Sequence, residues 1–294
     1  MFLVRWISGW PLRLLHAVGG GLGWLVWLLS PTYRRRLRTN ADLAGVPASA
    51  RRRSIAESGR MVAETPWLWL RATNDDLVRK VTWRNPEALE AAIAERRPLV
   101  ILTPHMGSFE VAARAYTARF GHLQPVTVLY RPARQRALRE FQEQARRRPT
   151  MPTAPASLAG VRQMLRALKK RESVGLLPDQ VPPDGQGVWA PFFGQPAYTM
   201  TLAARLTQQT GAHCTVLRCE RLPRGAGYVI HSSELVRPLP AGTDAASQLE
   251  AATIINETME QVILSDPGQY LWGYNRYKPP RAADIPETRA EGNE

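Results

Sequence analysis

The run Leu99-Val100-Ile101-Leu102 constrains this chain more than any other stretch. Four consecutive apolar residues bounded by turn formers read as a buried strand. Pro104 and Gly107 bend the chain after it, and Ser108 offers an N-cap for a helix running toward Arg119. The same rhythm recurs along the sequence. A helix is expected over residues 88–97 and a second strand over 126–130. A basic helix over 134–148 and another over 158–171 lead to a further buried strand at 174–177. A turn at 182–185, a helix over 199–210 ending at Gly211, and strands at 213–219 and 228–231 complete the series. Residues 40–80 are polar, with apolar side chains at helical intervals. This pattern, without internal repeats, predicts an α/β fold: a mixed, mostly parallel sheet flanked by helices. Such sheets place sites at the carboxyl ends of their strands, where His105, Arg131 and Asp179 fall.

His105 and Glu110 suggest chemistry at the first of these junctions. Within one helix, residues five apart point about 140° away from each other, so the pair needs a bend. With His105 in the loop and Glu110 in the first helical turn, the carboxylate can fold back onto one ring nitrogen and leave the other as a base. No G-x-S-x-G elbow supplies a nucleophile. The hydroxyl that such a base deprotonates would belong to the substrate, which points to acyl transfer onto an alcohol. Spacing alone fits equally well a loop histidine bonded to a backbone carbonyl and a glutamate favoured by the helix dipole.

The first thirty residues are rich in Leu, Trp, Val and Gly. Arg5, Pro11, Arg13 and His16 interrupt them, so that only residues 14–30 are free of formal charge, near the lower limit for crossing a bilayer. Trp6, Trp10, Trp24 and Trp27 suit the interface, and Arg34, Arg35, Arg36 and Arg38 follow as expected on a cytoplasmic side. With no small-residue cleavage site before those arginines, an uncleaved N-terminal hydrophobic membrane-anchor helix is the expectation, spanning or in-plane. The formal charge of +14 implies an acidic partner: nucleic acid, anionic lipid or an acidic carrier protein. Residues 131–148 alone carry seven arginines against Glu140 and Glu143. Cys214 and Cys219 form neither a C-x-x-C motif nor a zinc site and read as inert thiols of a reduced compartment. His16, His122, His213 and His231 show no ligand spacing, so no metal is expected.

The His105-x4-Glu110 motif after a hydrophobic strand resembles that of the glycerolipid acyltransferase superfamily, and Glu at its second position resembles the lipid A late acyltransferase (lauroyl/myristoyl) branch. Five further blocks resemble that branch in its order. They are Tyr130-Arg131-Pro132, Leu177-Pro178-Asp179-Gln180, residues 187–194, Pro196-Ala197-Tyr198-Thr199, and Gln269-Tyr270-Leu271-Trp272 followed by Arg276 and Lys278. The resemblance implies a His105/Glu110 dyad acting as general base. It also implies an acceptor-binding or charge-stabilising Arg131, a second functional arginine in the 146–148 run, taken as Arg146, and a positioning role for Asp179, which is otherwise a strand-end turn former. Phe192 and Phe193, a pair of aromatics after a strand, read by themselves as core; the resemblance implies instead that they wall an acyl pocket, with Gly194 permitting close approach. An acyl carrier protein thioester would be the donor and a phosphorylated glycolipid the acceptor, at an anionic membrane, with no nucleic acid and no cofactor. The expected place is the bacterial inner membrane with the catalytic domain on the cytoplasmic side. Residues 1–30 would form the anchor, 31–280 the acyltransferase domain and 281–294 a flexible polar tail. The alternatives are an acyltransferase acting on a glycerophospholipid or another glycolipid, and a noncatalytic basic membrane-associated binding protein.

Overall fold

The computed structural model describes residues 2–131, 135, 141–142 and 148–281. Arg146, most of the expected basic helix and the polar tail beyond residue 281 lie outside the described residues. With elements numbered in chain order, seven strands form one sheet in the order β1-β9-β8-β2-β5-β3-β4. They are β1 (Val81–Arg84), β2 (Leu99–Leu102), β3 (Val126–Tyr130), β4 (Thr153–Pro155), β5 (Ser173–Leu176), β8 (His213–Arg221) and β9 (Tyr228–Glu234). All neighbours are parallel except β8 and β9, so the sheet is mixed and mostly parallel, as the rhythm predicted. Strand β2 is buried at all four positions, between β5 and β8, which explains its unbroken apolar run.

Two cores cover the faces of the sheet. One takes side chains from α6 (Glu87–Ala94), α7 (Phe109–Phe120), α5 (Asn74–Lys80) and the C-terminal part of α4 (Ala48–Leu70). The other takes them from α8 (Leu158–Lys169), α9 (Leu202–Thr210), α10 (Ala245–Ser265) and α3 (Pro31–Leu43). Helix α10, capped by Asp244 accepting from the N–H groups of Ala246 and Ser247, adds to the predicted helices.

The helix expected from residue 199 begins only at Leu202. Residues Gln195–Met200 instead form β7, paired antiparallel with β6 (Gly187–Phe192) in a hairpin. Phe193 and Gly194 are both left-handed, at φ 47° and 73°, the geometry of a tight two-residue hairpin turn. Pro191 and Pro196 face each other in this ribbon, and a two-stranded ribbon tolerates them because each strand has a free edge. Gly194 therefore serves a turn. Phe192 is buried against Phe193 in the core and, like Phe193, does not line the cavity described below.

The N-terminal segment forms α1 (Phe2–Ile7) and the apolar α2 (Leu12–Leu29), which is long and apolar enough to cross a membrane and is a candidate anchor. One face of α2 packs on α4 backbone to backbone. A Cβ on Gly59 would sit 2.0 Å from the Gly19 carbonyl oxygen, and one on Gly23 would sit 2.2 Å from that of Ile55. Gly59→Ala is therefore expected to push the helices apart and cost about 1–3 kcal/mol, as overpacking does. Denaturant unfolding of the purified variant checks this, and an unchanged midpoint would show that the two helices do not dock in this way.

Candidate functional site

The loop after β2 is fixed on every side. Thr103 donates its N–H to the Leu176 carbonyl of β5 at 3.0 Å, continuing the ladder, and the N–H of Leu271 reaches the His105 carbonyl at 3.1 Å. The Gly107 N–H bonds the Gln269 carbonyl at 2.8 Å, and that of Ser108 bonds the Cys219 carbonyl at 3.1 Å. Gly107 has φ +56°, and a Cβ there would lie 1.8 Å from the Cys219 oxygen, so only glycine fits. The Gln269-Tyr270-Leu271-Trp272 block is explained here. Gln269 clamps the backbone of Arg221 with both ends of its amide, Tyr270 bridges Met106, and Trp272 is buried in the core.

His105 is held by Asp179. Its ring Nδ1 lies 2.7 Å from Asp179 Oδ1, and its backbone N–H donates to Oδ2 at 2.9 Å. Asp179 is 1% exposed. Burial alone would push its carboxyl up, but the facing His105 and its hydrogen bonds outweigh that and hold it below the ordinary carboxylate value. The contact expected from Glu110 is thus made by Asp179. Leu102 and Leu176 are register partners on parallel β2 and β5, and His105 and Asp179 each stand three residues past them. Equal overhangs from adjacent parallel strands meet. Among the described residues, His105 Nε2 has no hydrogen-bond partner.

Glu110 lies in the first turn of α7, as the spacing indicated, and its Oε2 accepts the indole N–H of Trp69 at 3.3 Å. Ser108 stands at the N-cap position but caps nothing. Its hydroxyl donates to the buried carboxylate of Glu64, which needs donors more than the helix end does. Trp69 ends up beside the site because Arg114 of α7 donates to the Leu68 and Ala72 carbonyls, each at 2.9 Å, tying down the end of α4. No local pattern marks Trp69, since its role depends on α4 docking against α7.

His105 and Glu110 line one cavity of about 240 Å³ with Arg131, which is exposed just past β3. Its interior is apolar, formed by Ile101, Val126, Val128, Leu176 and Leu217, with Tyr116 beside them. A greasy slot with a histidine, a carboxylate and a guanidinium along its wall suits a hydrocarbon chain carrying a reactive polar end. Cys214 and Cys219 are buried on β8. Burial pushes Cys214 up to about 12 and Cys219 higher still, so both stay thiols.

The sequence profile of the bacterial lipid A biosynthesis acyltransferases matches residues 1–279, nearly the whole chain. The chain belongs to this family. It is 28% identical over 263 residues to the lipid A biosynthesis palmitoleoyltransferase of Escherichia coli (strain K12), covering 84% of this chain and 80% of that protein. A lipid A biosynthesis acyltransferase of Haemophilus influenzae is 26% identical, with 91% and 85% covered. The lipid A biosynthesis lauroyltransferase of Escherichia coli (strain K12) is 24% identical, with 91% and 86% covered. For this lipid A acyltransferase the cavity and its wall of His105, Glu110 and Arg131 are the candidate active site.

Proposed function

We propose that this chain transfers a fatty acyl group from an acyl carrier protein thioester to a hydroxyl of a phosphorylated lipid A precursor, at the cytoplasmic face of the inner membrane. The observation that carries this reading is the His105–Asp179 pair beside an apolar cavity. Asp179 fixes the ring through Nδ1–H, leaving Nε2 as the base. Nε2 takes the proton of the acceptor hydroxyl, whose oxygen attacks the thioester carbonyl and forms the new C–O bond. Collapse breaks the C–S bond, and the proton on the imidazolium passes to the leaving sulfur. The products are an ester and a free carrier thiol. Glu110, oriented by Trp69, faces the same space and binds the acceptor, while Arg131 receives an acceptor phosphate at the mouth. Arg146 is a second candidate phosphate ligand by resemblance alone.

Purified protein supplied with an acyl carrier protein thioester is expected to acylate a phosphorylated glucosamine disaccharide lipid, and to act far less on glycerol phosphate or a lysophospholipid. Mass spectrometry should show lipid A gaining one acyl chain when the protein is expressed in cells lacking it. Transfer to the glycerol acceptors alone would assign the protein a different acceptor.

A further inference from the structure

Two open recesses flank the start of α2 and share Arg13. One, of about 400 Å³, is lined by Arg13, His16, Arg60 and Arg224 with Ala17. The other, of about 870 Å³, runs from Ser8 to Arg13 and is closed by Trp67, Arg71 and Lys80. Five cations and a histidine line the pair, and no carboxylate does. Some arginines elsewhere have acidic partners, among them Arg51 on Asp42, Arg53 on Asp266, Arg119 on Glu90 and Arg237 on Glu257. Arg13, Lys80 and Arg224 have none among the described residues, and Arg71 reaches only the Ser8 hydroxyl at 3.4 Å. The nearest acids are already taken. Glu57 bonds Arg60 and Arg221, and Glu64 bonds His16 and Arg221.

Three further features point to an anion. No side chain caps α2, so the positive end of an eighteen-residue helix opens here. His16 is 3% exposed, and its Nδ1 is buried without a partner while Nε2 holds Glu64. The turn after β8 is pressed against the helix start. Gly225 has φ +69°, and a Cβ on it would lie 2.7 Å from the Arg13 nitrogen, which holds Arg224 beside the recess. From this foot, Leu14, Val18, Leu22, Leu25 and Leu29 run along α2 as an exposed apolar stripe, opposite the face packed on α4. Helix α4 carries Arg51, Arg52, Arg53, Glu57, Arg60 and Glu64 alongside, so α2 meets the hydrocarbon along one side and not as a lone spanning rod.

We propose that the recess at the foot of α2 binds the phosphate of a membrane-borne lipid, with the apolar stripe lying among its acyl chains. The ligand is a phosphate on a lipid headgroup, which either a bulk anionic phospholipid or the acceptor's own phosphate supplies. The two sources are separable by experiment.

The test is partition onto vesicles, which needs no turnover and so stands apart from the acyl-transfer reading. The triple variant Arg13→Gln, Lys80→Gln, Arg224→Gln is compared with Arg162→Gln, Lys169→Gln, Lys170→Gln. The second set removes equal charge from exposed positions on α8 and the residue after it, over the opposite face of the sheet. Each basic residue near an anionic surface contributes about fivefold in binding, so the recess triple should lose on the order of 100-fold affinity for phosphatidylcholine vesicles containing phosphatidylglycerol. The control should lose about fivefold or less, and plain phosphatidylcholine should not distinguish the two. A recess-specific loss confined to phosphatidylcholine vesicles doped with the phosphorylated disaccharide, and absent with its dephosphorylated form, would assign the site to the acceptor. Equal losses for both triples on every vesicle would overturn the proposal. Arg224→Gln alone, at an exposed turn position, keeps the test open if the triple does not fold.

Discussion

His105→Ala is expected to lower kcat/KM by about 10²- to 10⁴-fold, the usual contribution of general-base catalysis, while thermal stability and membrane association hold. Asp179→Asn should fall in the same range with the loss in kcat, because the amide keeps the shape but no longer stabilises a charged ring. Since the Asp179 carboxyl lies below the ordinary value, it stays ionised throughout the neutral range, and the acid limb of the wild-type rate profile should not follow it. Glu110→Gln separates the two carboxylates. If Glu110 binds acceptor while Asp179 orients the ring, its defect should appear in the KM for acceptor. A full-strength kcat loss in Glu110→Gln together with normal turnover in Asp179→Asn would return the orienting role to Glu110.

Arg221→Ala should be the most destabilising single change outside the sheet core. Its guanidinium is buried between Glu57 at 2.7 Å and Glu64, with the Gly107 carbonyl at 2.7 Å, so it holds both α4 and the histidine loop. Glu64 also accepts from His16, Ser108 and Tyr228. Removing the cation leaves the Glu64 carboxylate in the interior without its guanidinium and Glu57 with Arg60 alone, and breaking a buried pair in this way typically costs 3–5 kcal/mol. Burial alone would push Glu64 up, but Arg221 and the donors around it hold its carboxyl at about 2, below an ordinary 4.5. A lowered folded-state pKa contributes stability that is present above 4.5 and lost as pH falls through about 2. Without Arg221 the sign reverses for this group, because a protonated Glu64 is easier to bury. The stability gap between wild type and Arg221→Ala should therefore narrow as pH falls from neutral toward 4, followed by thermal melts. A constant gap would mean that Glu64 is not the stranded charge. Arg221→Ala should also lose activity at temperatures where it remains folded, since Gly107 and Ser108 lean on this cluster.

Much of this was legible along the chain. The apolar run Leu99–Leu102, the bend at Pro104 and Gly107, and the helix start at Ser108 are local signals, and each produced the element it predicted within a residue or so, although Ser108 does not cap that helix. Local signals also placed His105, Glu110, Arg131 and Asp179 at strand ends or in the first turn after them, because side chains at those positions follow from where a strand stops. Partnership was not legible. Which strands are neighbours is set by long-range packing, so the meeting of His105 with Asp179 waits on β2 and β5 lying side by side. Glu64, His16 and Arg221 come from distant segments, and nothing nearby in sequence marks a buried charge whose partners arrive from elsewhere. The β6–β7 ribbon hid behind two prolines, which are breakers by local rules and harmless on a free edge. The apolar composition of α2 marked a candidate membrane anchor, but only its docking on Gly59 decided which face is packed against the protein and which is left exposed.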